Sequence, residues 1–135
     1  MTISNRTFTS VVYDIRQDTE LLVQMRQATL SRGDLGLSGE NGIVGSPQWW
    51  TAVERGDVPI KVFEGTILRV DGGPMGDSCL VRIQGTHEMK SWTAWKGFAP
   101  SLIGQRVEIR YAEVAPKKPP TPGYLVDLLV EVRVL

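Results

Sequence analysis

Hydrophobic and polar positions alternate with a period of two along most of the chain after Asp57. The alternation is most regular in residues 124–135, where valine or leucine stands at every even position from Val126 to Val134. A period of two is typical of β-strands that bury one face. The pattern predicts strands at residues 58–70, 78–84, 88–96, 105–114 and 124–135.

The predicted strand at residues 88–96 carries the main functional hypothesis. Its odd positions are uncharged, whereas its even positions include Lys90, Trp92 and Lys96. Burying unpaired lysines costs free energy, so we expect the odd positions to face the core. Trp92 is then expected on the outside of the sheet and Trp95 inside.

The turn before this strand sets the predicted register of the hairpin. If residues 85–87 form the turn, Arg82 lies opposite Lys90 and Leu80 lies opposite Trp92. Like charges directly opposite each other destabilise a sheet, unless an anion lies between them. The outward face of the second and third predicted strands is therefore the strongest candidate for a ligand surface.

The clearest helix signal lies at residues 46–56. Ser46 can cap the helix, Pro47 suits its first position, and Gly56 can end it. The adjacent Trp49 and Trp50 cannot both point to the same side of this helix. We expect one of them to pack against the sheet and the other to lie at its rim or to meet a partner.

The pattern before residue 33 is less uniform. Residues 18–32 predict a helix with Asp18 as its N-cap. Residues 7–16 fit a helix or a strand, because Val11, Tyr13 and Ile15 also alternate.

Glycine recurs at every third position from Gly33 to Gly45. A phosphate-binding loop needs a lysine and a following helix that aims its backbone N–H groups. No lysine lies in this segment, and Ser46-Pro47 follows it. We interpret residues 33–45 as a flexible connector, with a partner-binding lid as the alternative.

These elements predict an α+β fold that is mostly β. Five strands with long loops after the first and fourth favour a partly open OB-fold-like barrel, with an SH3-like barrel as the alternative. We expect a single domain over residues 1–135. In it, residues 1–56 form a helical N-terminal cover and residues 57–135 form the barrel, which a short helical turn within residues 97–104 seals.

Composition narrows the classes of partner. Hydrophobic residues make up 41% of the chain and charged residues 22%, as in ordinary globular proteins. The formal net charge is zero, so any nucleic-acid role must rest on a local basic patch. No apolar run approaches the ~20 residues that span a bilayer, so no membrane partner is expected. With no signal-peptide layout at the N-terminus, a cytoplasmic location is the default expectation.

Catalytic and metal chemistry find little support. The chain has one cysteine and one histidine, which are too few for a metal site built from cysteine and histidine ligands. Cys79 and His87 lie on one extended segment, on the order of 20 Å apart, which is too far for a nucleophile and its base. We therefore expect no enzyme activity, no cofactor and no metal.

Two functional hypotheses remain. The first is a non-enzymatic module for single-stranded nucleic acid, in which an exposed aromatic ring stacks on a base and nearby cations neutralise phosphates. Its predicted binding residues are Arg82, Lys90, Trp92 and Lys96, extended by Lys117 and Lys118 of the proline-rich segment 115–123. The alternative is a protein-interaction or assembly module that uses the Trp49-Trp50 helix and the loops to bind a protein partner or a second copy of the chain.

Overall fold

The structure is a computed structural model that describes residues 10–34, 36–72 and 79–135. The described strands and helices follow one another as β1 (Ser10–Asp14), α1 (Thr19–Leu30), α2 (Pro47–Arg55), β2 (Ile60–Gly72), β3 (Cys79–Gln84), β4 (Met89–Thr93), β5 (Arg106–Val114) and β6 (Val126–Val134). Short 3₁₀ turns lie at Ile15–Gln17 and Pro100–Leu102. The second of these confirms the predicted helical turn.

The strands form one open antiparallel sheet in the order β1-β6-β5-β2-β3-β4. The mostly β class is confirmed, but the prediction of a five-stranded barrel is wrong, because the sheet has six strands and β1 and β4 end it. The additional strand is β1, which pairs with β6 from Ser10 opposite Val134 to Asp14 opposite Glu131. The strand alternative for residues 7–16 is thus confirmed over β1, while residues 7–9 lie outside the described part of the chain.

Internal contacts divide the chain into two compact units. Among the described residues, unit 1 contains residues 10–14, 62–72, 79–110 and 131–135. Unit 2 contains residues 15–34, 36–61 and 111–130. Each unit therefore draws on segments that are distant in sequence. The predicted single domain over residues 1–135 stays a prediction.

Both helices begin at the predicted caps. The Asp18 carboxylate accepts a hydrogen bond from the Leu21 backbone N–H at 3.4 Å, and the Ser46 hydroxyl accepts one from the Trp49 N–H at 3.2 Å. Gly56 ends α2 in the left-handed region at φ 84°, a conformation that favours glycine. These caps satisfy backbone groups that a helix end leaves without intrahelical partners.

The β3–β4 hairpin has a different register from the predicted one. Gln84 lies opposite Met89, so Arg82 lies opposite Ser91 and Val81 opposite Trp92. The turn is closed by a hydrogen bond from the Gly85 N–H to the Glu88 carbonyl at 2.8 Å. A shift of one residue moves every side chain of a strand to the opposite face.

The shift reverses the predicted faces of β4. Trp92 is 6% exposed and packs inward, whereas Met89 is 43% exposed. The expectation that Trp92 faces outward is therefore wrong. The penalty for buried lysines did not apply, because Lys90 is only half-buried and Lys96 lies beyond the end of β4. A long lysine stem can cover apolar surface without burying its amino group.

The core of unit 1 is aliphatic and aromatic. Trp95 is buried as predicted, and its ring meets Phe98 edge to face with centroids 5.2 Å apart. The Phe63 ring lies 5.8 Å from that of Trp92. Further buried residues of this unit are Ile67, Val81, Ile83, Val107, Ile109 and Val132.

Candidate functional site

The structure pairs Arg82 within unit 1. Its Nε donates to the Asp71 carboxylate at 2.7 Å, and its Nη1 donates to the Ser91 hydroxyl at 2.9 Å. The guanidinium therefore does not face Lys90 across a ligand, as the predicted register required. The hydrogen bond from Arg82 holds the pKa of Asp71 below its ordinary value of 3.8. Desolvation raises this pKa in part, whereas the Arg69 guanidinium lowers it further.

The other predicted binding residues of unit 1 do not form an open stacking surface. The Lys90 amino group lies 5.9 Å from the centroid of the Trp92 ring, within range of a cation–π contact. Trp92 is buried and has no open face for a base. Lys96 is exposed after β4.

Lys117 and Lys118 belong to unit 2 and have different surroundings. Lys117 Nζ donates to the carbonyl oxygens of Ala28, Ser31 at 2.8 Å and Gly33 at 3.2 Å. It thereby satisfies carbonyls at the C-terminal end of α1, where a cation is favoured. Lys118 forms an exposed ion pair with Asp34 at 3.3 Å.

The glycine loop is tied to the proline-rich segment within unit 2. The Lys117 N–H donates to the Gly36 carbonyl at 3.0 Å, and the Ser38 N–H donates to the Ala115 carbonyl at 2.8 Å. Gly36 has φ 103°, and a Cβ there would lie 2.9 Å from the Ala28 Cβ. Glycine is thus required at this position for its conformation and for the close approach of α1. The loop is more than a connector.

Among the residues that the structure describes, a groove on unit 2 offers the best candidate site. Its lining comes from the glycine loop within residues 38–44, from Trp49 of α2, from residues 57–59, from the end of β5 within residues 113–115, and from Leu125. The groove and the solvent at its mouth together span about 590 Å³ of empty space. We call it the unit 2 groove.

Carboxylates are the only formally charged groups in the lining of the unit 2 groove that the structure describes: Glu40, Asp57 and Glu113. The Asp57 carboxylate lies 2.7 Å from an Arg55 guanidinium nitrogen, and the Glu113 carboxylate lies 3.9 Å from the Lys61 amino group. Both pairs are partly exposed to solvent. Such pairs contribute little stability, so their cations can exchange partners.

The remaining lining is largely apolar. Val44, Trp49, Val58 and Val114 are all buried. Leu125 is 45% exposed beside them, and its neighbour Tyr124 is 47% exposed. An apolar floor with a polar rim is the usual anatomy of a protein-binding surface.

The two tryptophans of α2 have separate environments. Trp49 is 2% exposed and lines the unit 2 groove. Trp50 is half-buried, and its ring meets the Trp49 ring edge to face with the two centroids 4.7 Å apart. The Arg16 guanidinium lies 5.4 Å from the centroid of the Trp50 ring. The role in protein interaction that we predict for Trp49 and Trp50 stays a prediction.

Neither a metal-ligand cluster nor a membrane-spanning helix is present in residues 10–34, 36–72 and 79–135. These residues contain no group of three or more histidine, cysteine or acidic side chains arranged to hold a metal ion. Within them, no helix combines the length and the apolar character that a membrane crossing demands. Cys79 is a free cysteine and His87 is exposed.

Comparison with known protein families identifies a relationship over nearly the whole chain. A family model described as immunity protein RhsI2 matches residues 9–134 of the 135-residue chain. The chain belongs to the RhsI2 immunity protein family. No curated protein matches the chain.

Family membership indicates a protein partner and overturns the prediction of single-stranded nucleic acid binding. The geometry gives the physical reason, since Arg82 is paired with Asp71, Trp92 is buried and Lys117 caps α1. The alternative protein-interaction hypothesis fits better. Sequence reasoning missed the unit 2 groove, because five separate segments supply its lining and no short motif marks it.

Proposed function

We propose that this protein is a non-enzymatic inhibitor that binds a toxin protein of the Rhs type and blocks its activity. The match to the RhsI2 immunity family over residues 9–134 carries this proposal. For a protein that protects by association, the essential feature is a surface complementary to the toxin.

The unit 2 groove supports the same function. It combines buried apolar side chains with exposed Leu125 and with carboxylates at the rim. Buried apolar contact contributes most of the affinity in protein complexes, and charged groups around it contribute specificity and association rate.

Co-expression with the cognate Rhs toxin domain tests the proposal. The chain is expected to restore growth of cells that express the toxin. It is also expected to co-elute with a catalytically inactive toxin domain as a stoichiometric complex in size-exclusion chromatography. Failure to form a complex would overturn the proposal.

Stoichiometry distinguishes inhibition by binding from an enzymatic mechanism. Titration of purified toxin activity is expected to reach full inhibition near one chain per toxin. Full inhibition at a small fraction of that ratio would show that the chain acts catalytically, and would contradict the non-enzymatic role. The cytoplasmic location and the possible homo-oligomer stay predictions.

A further inference from the structure

We infer that the unit 2 groove receives a cationic segment of the partner protein, in which lysine or arginine side chains flank an apolar one. This inference rests on the proposed function, and it names the part of the surface that binds and the chemistry that it recognises. The occupant is a segment of the toxin, as opposed to a second copy of this chain.

Charge selects a cationic occupant. Three carboxylates line the groove, and its described lining contains no lysine or arginine. No side-chain ion pair of Glu40 appears in the described structure, and the pairs of Asp57 and Glu113 are with cations outside the lining. An incoming guanidinium or ammonium group would meet the Glu40 carboxylate directly, and it would compete with Arg55 for Asp57 and with Lys61 for Glu113. Complementary charge of this kind steers association and disfavours acidic partners.

The apolar part of the groove favours a segment that carries both an apolar side chain and basic side chains over a segment that is purely basic. Val44, Trp49 and Val58 are buried below an opening where Leu125 remains 45% exposed. An apolar side chain of the partner that entered here would cover Leu125, while Val44, Trp49 and Val58 shape the floor and offer little free surface of their own. Aromatic and aliphatic groups near the centre of an interface commonly dominate its affinity.

The local structure holds these groups in place before binding. Asp57 N–H donates to the Ala52 carbonyl at 2.9 Å, and Glu113 N–H donates to the Pro59 carbonyl at 3.3 Å. The Gly42 N–H donates to the Gly39 carbonyl at 2.9 Å next to Glu40. Binding to a preformed surface loses less conformational entropy than binding that must order loops.

Charge-reversal variants of the full-length chain test the electrostatic part. The affinity of each variant for the inactive Rhs toxin domain is measured by isothermal titration calorimetry. Glu40→Lys is expected to weaken binding about tenfold or more, and the pair Glu40→Lys with Glu113→Lys is expected to weaken it further. Glu54→Lys is the matched control, because Glu54 is an exposed acidic residue of α2 outside the groove lining. It is expected to change the affinity less than about threefold.

The apolar part is tested by Leu125→Ser, with Leu30→Ser as the control at an exposed leucine outside the groove. We expect a loss of about tenfold for the first and little change for the second. Circular dichroism and the unfolding midpoint of each variant show whether it remains folded. Because Glu40 and Leu125 are exposed, their substitution is expected to leave the fold intact.

The outcomes separate the inference from the proposed function. If the wild-type chain fails to bind the toxin domain, the proposed function is wrong. If the wild-type chain binds and the folded groove variants bind equally well, the toxin uses another surface and the inference is wrong. If Glu40→Lys strengthens binding, the groove receives an acidic segment, which also contradicts the inference.

Discussion

Gly65 lies where β2 passes close to the backbone at the end of β3. A Cβ at this position would lie 2.4 Å from the Gln84 carbonyl oxygen and 3.0 Å from the Ile83 Cγ2. Gly65→Ala is therefore expected to lower the free energy of unfolding by ~1–3 kcal/mol, because the two strands must move apart. Chemical denaturation measures the change. Gly72→Ala is the control on the same strand, since a Cβ there meets nothing within 4 Å; an equal loss in both variants would contradict the steric explanation.

Lys117 is the second residue whose role depends on its detailed contacts. Its amino group donates to three carbonyl oxygens at and just after the C-terminal end of α1. Lys117→Met is expected to cost about 1–3 kcal/mol of unfolding free energy, because the partly buried Ala28 carbonyl and two exposed carbonyls lose a charged donor. Lys118→Met removes only an exposed pair with Asp34 and is expected to cost about 0–1 kcal/mol. Equal thermal and chemical stability of the two variants would show that Lys117 is not a structural cap.

At the scale of elements, Asp71 and Arg82 connect β2 to β3. The folded-state pKa of Asp71 is lowered, chiefly by the hydrogen bond from Arg82. Its contribution to stability is therefore present above the ordinary pKa of 3.8 and is lost as the pH falls through the lower folded-state value. We expect Asp71→Asn to be less stable than the wild type near neutral pH, and the difference to shrink in acid below that ordinary value. Urea unfolding over this pH range measures the difference in stability between Asp71→Asn and the wild type. Asp34→Asn, at the exposed pair with Lys118, is the control. A stability difference for Asp71→Asn that stays constant at all pH values would contradict the role given to the Asp71–Arg82 pair.

Local signals predicted several elements well, and the hairpin shows where such signals fail. Ser46 and Gly56 mark the ends of α2 by themselves, because caps act within one turn of the helix. The register of β3–β4 depends on how many residues the turn contains, and a one-residue difference there moved Trp92 to the core. The alternation of Lys90, Trp92 and Lys96 did not reveal that β4 ends at Thr93. The predicted ligand surface depended on the predicted register, so it is absent in the observed register, where Trp92 is buried.

At the scale of the whole molecule, the sequence predicted a mostly β chain but not the placement of its first strand or its candidate site. β1 pairs with β6 across more than a hundred residues of sequence, and no local pattern specifies such a partner. The unit 2 groove likewise combines Glu40, Asp57 and Glu113, which have no common motif. Periodicity identifies which face of an element is apolar, whereas a site built from several segments depends on tertiary packing.

The division into two compact units gives a prediction for the complex. If the toxin occupies the unit 2 groove, amide hydrogen exchange is expected to slow at residues 38–44, 57–58 and 113–115 when the toxin domain is bound. The β3–β4 hairpin of unit 1 is expected to keep its exchange rates, because it supplies no residue to the groove. Protection reports local opening and solvent access, so it locates the surface without any substitution.

Exchange measured by mass spectrometry on the free chain, on the complex and on Glu40→Lys with the same toxin gives the comparison. Slowing confined to the hairpin in a stable complex would show that unit 1 carries the binding surface, whereas slowing at the groove that disappears in Glu40→Lys would locate the toxin on unit 2.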